Sequence, residues 1–299
     1  MIRISGILLL GAALLVAAAD APRERVVTGE GFAPATVANV PGRFIIDPGA
    51  PSMPMLAPDF AARAGLRPGM FAMRYLIGPV TIDGSSAVTR IDTGGGARKR
   101  RVAWSVKAYA AGADGVVGPG FLVEDVVRFV LRPARAGERT VSLPMVESGG
   151  LLGGWGGLLA QVDVGGQPLK VRFDLRHQRS LATAGAGIAI ATALGGRTEG
   201  APESAEIAFG VERPVRRLRL ARPLMVGPLA VDRLFVRVAD FGDASAIADE
   251  HDDPDEVVVT VGKKRKTGRD RLNLGLDQLD RCSSIIFDKP ARQIRLTCA

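Results

Sequence analysis

The sequence contains few of the residues from which metal, redox and nucleotide sites are built. Its 299 residues include only two cysteines and two histidines, and aromatic side chains make up 5% of the chain. Two cysteines without a neighbouring ligand pattern make a poor zinc or redox site. The GxGxxG and GxxxxGK[ST] spacings that hold nucleotide phosphates are absent, as is the GxSxG turn of many serine hydrolases. We therefore expect no metal and no cofactor.

The net charge of +8 does not by itself indicate a nucleic-acid partner. The basic residues are scattered and the aromatics that would interleave with them are few, so no nucleic acid is expected. The acidic run 249–256 and the basic run 263–266 flank the short apolar segment 257–261. We interpret the two runs as solvated loops of opposite sign at the ends of one strand. A calcium site is the alternative for the acidic run, but its spacing is not that of an EF-hand.

One long apolar run is present, at the N-terminus. Residues 4–19 are uncharged, follow Arg3, and end in the small residues 17–19 before Asp20. This pattern predicts a cleaved signal peptide over residues 1–19 and export to the periplasm or the cell exterior. A retained membrane anchor is the alternative, although the run is shorter than the roughly 20 residues that span a bilayer. Membrane contact is expected only through an uncleaved signal peptide.

The two cysteines flank a predicted β-hairpin. Cys282 and Cys298 enclose two strand-like segments around a turn at 289–292. Pairing Phe287 with Gln293 places the cysteines opposite each other, where Cβ atoms are about 4.5–5.5 Å apart. We predict a structural disulfide; two free buried thiols are the alternative.

Short β-branched segments punctuated by glycine and proline predict an all-β protein with a few short helices. Two segments are typical of helices: residues 58–64, which begin with a proline and end before Gly65, and residues 187–194, which end before Gly195. The predicted strands are 43–46, 80–82, 126–131, 158–164, 169–173, 234–238 and 285–287.

The two halves of the chain repeat one pattern. In each half an apolar strand ends in an aspartate, Asp47 or Asp174, and leads into a turn and a short helix. An apolar segment ending in glycine, at Gly118 or Gly275, follows much later in each half. We predict lobes at 26–146 and 158–299, joined by a Gly-rich linker at 147–157.

This duplicated pattern resembles the aspartic proteases. Residues 44–50 and the helix after them resemble the first catalytic loop, and residues 114–122 resemble the glycine-containing segment packed behind it. In the second half, residues 173–174 and 274–277 occupy the matching places. The resemblance covers roughly residues 35–299 and implies a bilobal fold of the pepsin and retropepsin kind. It further implies the catalytic pair Asp47 and Asp174, with loop support from Pro48, Gly49, Ala50, Gly118 and Gly275.

In this family two facing carboxylates share one proton around a water molecule, because both cannot ionise at such short range. The ionised carboxylate acts as base on the water and the protonated one donates to the scissile carbonyl. The function implied is peptide-bond hydrolysis, with a peptide or protein as partner.

Both loops depart from the family pattern after the aspartate. Pro48 replaces a hydroxyl residue, and Leu175, Arg176 and His177 replace the hydroxyl and the glycine of the second loop. A side chain in place of that glycine is expected to obstruct the approach of backbone to Asp174. Arg176 is expected to hold a carboxylate ionised. A non-catalytic peptide-binding protein is therefore the alternative function, and a structural envelope protein with a filled cleft is a third.

Two further residues need interpretation. Asp92 begins a literal Asp-Thr-Gly, but a charged strand precedes it and glycines and basic residues follow. We interpret it as an exposed turn, with a catalytic role as the alternative. Tyr75 is interpreted as a packed aromatic, with a place at the mouth of the cleft as the alternative.

Overall fold

A computed structural model describes residues 22–148, 156–238, 247 and 270–299. The predicted signal peptide, most of the Gly-rich linker, and the acidic and basic runs lie outside the described residues. Within the described part of the chain, no helix is both long enough and apolar enough to cross a membrane.

The protein is built mainly from two β-sheets, so the predicted all-β class is confirmed. The seven-stranded sheet consists of β2 (Phe32–Val37), β3 (Val40–Ile46), β4 (Met55–Leu56), β5 (Ala72–Ile77), β6 (Val80–Asp92), β7 (Arg98–Ser105) and β8 (Gly115–Val117). The twelve-stranded sheet consists of β1 (Glu24–Thr28), β9 (Val126–Val130), β10 (Arg139–Glu147), β11 (Leu158–Val164), β12 (Gln167–Phe173), β13 (Leu181–Ala182), β14 (Gly196–Ala208), β15 (Val211–Val226), β16 (Leu229–Arg237), β17 (Arg271–Leu274), β18 (Cys282–Asp288) and β19 (Gln293–Cys298).

Both predicted helices are present. Helix α1 (Pro58–Arg63) has proline in its first turn, and Gly65 follows with a φ of 63°. Helix α2 (Ala184–Leu194) begins three residues earlier than predicted, because Thr183 caps it by accepting from the Ala186 N–H. It ends at Gly195, which has the left-handed backbone that glycine adopts without strain. A short helix, α3 (Leu276–Leu279), follows β17.

The duplication predicted from the sequence is visible in the strand pairing. In the first half β3 pairs parallel with β8, β8 antiparallel with β4, and β4 parallel with β7. In the second half β12, β17, β13 and β16 repeat these three pairings in the same order and directions. Helices α1 and α2 follow the equivalent short strands β4 and β13. Each half therefore presents an aspartate after a strand that is flanked by a later, parallel strand.

The two halves also interlock. The hairpin β18–β19 lies between β9 and β10 of the first half: β9 pairs with β18, and β19 pairs with β10. The rings of Phe129 on β9 and Phe287 on β18 pack edge to face, 5.8 Å apart. Because ladder hydrogen bonds join the C-terminal hairpin to the first half, the lobes share one continuous sheet.

The structure confirms the disulfide but corrects the register from which it was predicted. Phe287 pairs with Ile294, not with Gln293, so most of the hairpin is shifted by one residue. An irregularity at Ser283 absorbs the extra residue and brings Cys282 opposite Cys298, where the two sulfurs are bonded. Both cysteines are buried in the main hydrophobic core.

We expect the double variant Cys282→Ala/Cys298→Ala to fold with reduced stability. The disulfide closes a loop with a sequence separation of 16, which in the loop-entropy model corresponds to about 3 kcal/mol. For a chain of this size that loss should lower Tm by roughly 6–12 °C in thermal unfolding. Reducing agent should lower the Tm of the wild type towards that of the variant and leave the variant unchanged. If reducing agent leaves the Tm of the wild type unchanged, the disulfide does not stabilise the fold.

Candidate functional site

The two predicted aspartates occupy equivalent buried positions. Asp47 directly follows β3, and its N–H donates to the Val117 carbonyl of β8 at 3.0 Å. Asp174 directly follows β12, and its N–H donates to the Leu274 carbonyl of β17 at 2.8 Å. Each aspartate is 2% exposed. The parallel strand pairs thus hold both carboxylates where the two halves meet.

The loops after the two aspartates have the same local structure although their sequences differ. The Gly49 N–H donates to Asp47 Oδ1 at 2.8 Å, and the Arg176 N–H donates to Asp174 Oδ1 at 3.1 Å. The expectation that a side chain in place of the second glycine would obstruct this approach is therefore wrong. The side chain of Arg176 extends towards the first half and leaves its own N–H free to reach Asp174.

The loop-support residues are tightly enclosed. A Cβ added to Gly118 would lie 2.3 Å from the Ala50 carbonyl oxygen, and one added to Gly275 would lie 2.6 Å from the carbonyl carbon of Arg179. A Cβ on Gly49 would lie 2.5 Å from the Phe173 carbonyl oxygen of the other half. Only glycine fits at these contacts, because real Cβ atoms do not approach backbone so closely.

A side chain from the second half binds each carboxylate. Arg176 Nε lies 2.7 Å from Asp47 Oδ2 and joins the two halves in an ion pair. His177 Nδ1 lies 2.9 Å from Asp174 Oδ2. Together with the two N–H donors, these contacts give each of the four carboxylate oxygens a hydrogen-bond partner within the protein. Arg176 thus contacts a carboxylate, but the pKa of Asp47 is raised and not lowered, so the expectation that Arg176 would hold this carboxylate ionised is not confirmed.

Arg172 and Tyr109 form a second contact between the halves that the sequence did not indicate. Arg172 is buried and its Nη2 donates to the Tyr109 hydroxyl at 2.5 Å. Arg176 Nη1 donates to the Tyr109 carbonyl at 2.8 Å, and its guanidinium carbon lies 4.5 Å from the centre of the Tyr109 ring. Two arginines of the second half thus hold one tyrosine of the first.

The environments of the two aspartates move their pKa values in opposite directions. Burial, assisted by the charge of Asp174, raises the pKa of Asp47, while the Arg176 guanidinium opposes the rise. Burial also tends to raise the pKa of Asp174. The hydrogen bond from His177 and the charge of Arg172 outweigh it, and they hold the pKa of Asp174 well below its ordinary value. Asp174 is therefore an ionised carboxylate at neutral pH.

The glycine segment of the second half is anchored by a pair that sequence reasoning did not identify. The hydroxyl of buried Ser180 donates to Asp277 Oδ1 at 2.6 Å and accepts from the Gly275 N–H at 3.0 Å. The sequence pattern places Asp277 only within the glycine-containing segment. Its partner lies 97 residues away, so local pattern could not have found it.

Asp92 belongs to a turn outside the site. Its Oδ1 accepts from the Gly94 and Gly96 N–H groups at 2.7 and 3.1 Å, which closes the bend between β6 and β7. The predicted turn is confirmed, although Thr93 within it is buried and not exposed. Asp92 is not among the residues that line the cavity beside Asp47.

A cavity of about 850 Å³ adjoins the carboxylate of Asp47. It lies between the β1–β2 turn, the loop before β8, the second aspartate loop and the tip of the β14–β15 hairpin. Among its lining residues are Asp47, Pro48, Arg176 and His177. Within the described residues no cluster of His, Cys, Asp and Glu could hold a metal ion. The site therefore consists of a charged, buried corner opening into a space that can accommodate a ligand.

Three aromatic rings cover this corner. Tyr75 of β5, Tyr109, and Phe209 at the tip of the β14–β15 hairpin pack edge to face. The interpretation of Tyr75 as a packed aromatic agrees with this arrangement. Phe209 had no signal in the sequence, because a lone phenylalanine before a glycine does not show which part of the molecule it will contact.

The opposite pKa directions predict opposite pH dependences for two asparagine variants. The lowered pKa of Asp174 stabilises the fold above its unfolded pKa of about 3.9, and that stability is lost as the pH falls below it. We expect Asp174→Asn to cost about 1–3 kcal/mol at pH 7 and progressively less on acidification. The raised pKa of Asp47 gives the reverse trend: the stability of the wild type relative to Asp47→Asn falls as the pH rises above about 4.

Urea denaturation between pH 3 and pH 7 measures both trends. Each variant serves as the control for the other, since both replace a buried carboxylate with an amide of the same shape. Parallel pH profiles for the two variants would contradict the assignment of opposite environments.

Comparisons with known proteins give similarities among solved structures but none to a protein family or a curated protein. No protein-family model matches the chain, and no curated protein matches it either. Among solved structures, the chain is similar to the retroviral protease-like domain of Ddi1 from Leishmania major, with 18% identity and a TM-score of 0.24. The similarity covers 30% of this chain and 71% of that one. A similarity of this extent assigns neither an activity nor a substrate to this chain.

Proposed function

We propose that the protein binds an extended peptide in the cavity between its lobes and does not hydrolyse it by the two-aspartate mechanism. The observation that supports this is the Arg176–Asp47 ion pair across the lobes. Two-aspartate hydrolysis needs carboxylates that share a proton around a water molecule. Here Arg176 and His177 occupy one oxygen of each carboxylate, and the backbone N–H groups occupy the others.

The lining of the cavity favours peptide main chain as the ligand. Small side chains on the cavity wall leave room for an extended chain to approach the backbone and pair with it in the manner of an added strand. These small residues are Gly29, Gly31, Ala108, Ala110, Ala111 and Gly210. Apolar residues on the same wall, such as Phe32 and Leu175, would accommodate alternate side chains of such a peptide.

Peptide hydrolysis is the second candidate function, and one observation favours it. The pKa of Asp47 is raised while that of Asp174 is lowered, and a working pair of carboxylates shows such a division between acid and base. The ion pair with Arg176 weighs against it, because a guanidinium at 2.7 Å stabilises the ionised form of Asp47.

Binding without cleavage is the expected result for the wild type. A fluorescein-labelled library of random octapeptides should show raised anisotropy with the protein, and mass spectrometry should find the peptides intact between pH 3 and pH 7. Ala111→Trp places a large side chain at an exposed position of the cavity wall and should weaken binding about tenfold or more, a loss of about 1.4 kcal/mol. Ala136→Trp, also exposed but outside the cavity lining, is the matched control.

Cleavage by the wild type that both Asp47→Asn and Asp174→Asn abolish would establish hydrolysis as the function. Absence of binding to the wild type would contradict the proposal itself.

Removing the guanidinium should bring the carboxylates closer to a proton-sharing pair. Without Arg176 the main opposition to the raised pKa of Asp47 is lost, so Asp47 should take up a proton at higher pH than in the wild type. We expect Arg176→Gly to show peptide cleavage at acidic pH that the wild type lacks, measured on the same library. Arg176→Lys keeps a positive charge and is the control; it should remain inactive. Equal inactivity of both variants would show that the ion pair is not what prevents hydrolysis.

A further inference from the structure

The tip of the β14–β15 hairpin has an unusual residue for its backbone conformation. Ala208 pairs with Val211, leaving the two-residue turn Phe209–Gly210, and both residues have positive φ, 56° and 66°. Turns of this kind favour asparagine, aspartate or glycine at the first position. A bulky side chain there is strained. Strained residues persist where the surrounding structure holds them, and they concentrate at functional sites.

The Phe209 ring is held by the other half of the molecule. It is 2% exposed although it lies at a hairpin tip. Its centre lies 5.0 Å from the ring of Tyr75 and 5.2 Å from that of Tyr109, with interplanar angles of 68° and 82°. These distances and angles are those of favourable edge-to-face pairs. The second half thus inserts one ring against two tyrosines of the first, whose own rings are 6.4 Å apart.

This inserted ring is linked directly to the charged corner. Tyr109 carries the guanidinium of Arg176 over its ring and accepts from Arg176 at its carbonyl, and Arg176 is the residue that pairs with Asp47. Phe209, Gly210 and Tyr109 line the same cavity as Asp47. The hairpin tip therefore occupies part of the space beside the carboxylates.

We propose that Phe209 is an internal occupant of an aromatic binding position formed by Tyr75 and Tyr109, and that a peptide ligand displaces it with an aromatic side chain of its own. The inference rests on the proposed peptide-binding function and names the side-chain class that the site takes. In the absence of ligand the hairpin is autoinhibitory, because its ring fills the position that the ligand needs.

A fixed structural role for Phe209 would not account for its strained turn. The preceding residues Ile207 and Ala208 are already buried in the same apolar cluster, which spans both halves. A hairpin with glycine or asparagine at position 209 would keep those contacts without the strain. The observed hairpin differs from an unstrained one only in carrying the Phe209 ring. That ring contacts Tyr75 and Tyr109.

Fluorescence anisotropy with two labelled peptides tests the proposal: an acetylated pentaalanine with phenylalanine at its centre, and the same peptide with alanine there. In the wild type, only the molecules whose Phe209 ring has left the site can bind the ligand ring, and this lowers the apparent affinity. Phe209→Gly removes the competing ring and should bind the phenylalanine peptide roughly tenfold more tightly than the wild type. The alanine peptide should show little change. Ala38→Gly, at a left-handed position of the β2–β3 turn with φ 50°, is the matched control and should bind as the wild type does.

Phe209→Leu keeps apolar volume at the tip and provides a second variant if Phe209→Gly does not fold. It should show a smaller gain in the same direction, with circular dichroism confirming the fold of each variant. If the wild type binds peptides and neither folded Phe209 variant gains affinity for the phenylalanine peptide, Phe209 is a fixed core residue and the proposal is wrong. If no form of the protein binds either peptide or the octapeptide library, the proposed function fails, and this inference with it.

Discussion

Four ionisable groups where the two lobes meet, three buried and one partly buried, determine how the rest of the site is arranged. Asp47, Asp174, Arg172 and Arg176 are packed within one region, and a charge removed from water must be compensated by partners of opposite sign and by hydrogen bonds. Burial lowers the pKa of Arg172, but the interactions with Tyr109 and Asp174 outweigh burial and raise this pKa well above its ordinary value. The ionisation of each group therefore depends on the positions of the others.

The shared sheet supplies the rigidity that such a charge cluster requires. Because the β18–β19 hairpin lies between β9 and β10 and carries its own disulfide, separating the lobes would break ladder hydrogen bonds on both sides of it. The lobes can hardly open as rigid bodies to admit a ligand. Movement of the β14–β15 hairpin costs less free energy, because its tip contacts the first half through side-chain rings and not through ladder hydrogen bonds.

The sequence was sufficient to locate the aspartates and insufficient to show what surrounds them. Asp47, Asp174, Gly118 and Gly275 could be predicted because each belongs to a short pattern that occurs twice, in the same order, in one chain. The disulfide was predicted correctly, but the hairpin register used to predict it was off by one residue. The register was wrong because the alternation of side chains along the hairpin does not reveal the bulge near Ser283. Tyr109 and Phe209 could not be predicted, because the partners of each lie in parts of the chain that only the folded topology brings together.

The residues after the two aspartates are easier to understand together than one by one. Neither Pro48 nor Arg176 has a side-chain hydroxyl that could connect the two loops. In this chain the connection is made by guanidinium groups, which reach farther than a hydroxyl and can donate several hydrogen bonds at once: Arg176 contacts Asp47 and the Tyr109 carbonyl, and Arg172 contacts the Tyr109 hydroxyl. The guanidinium groups of Arg172 and Arg176 also place positive charge beside the carboxylates. Arg176 opposes the rise in the pKa of Asp47 that burial causes without overcoming it, and the charge of Arg172 helps to lower the pKa of Asp174. The guanidinium groups that connect the two loops therefore also influence the ionisation of both carboxylates.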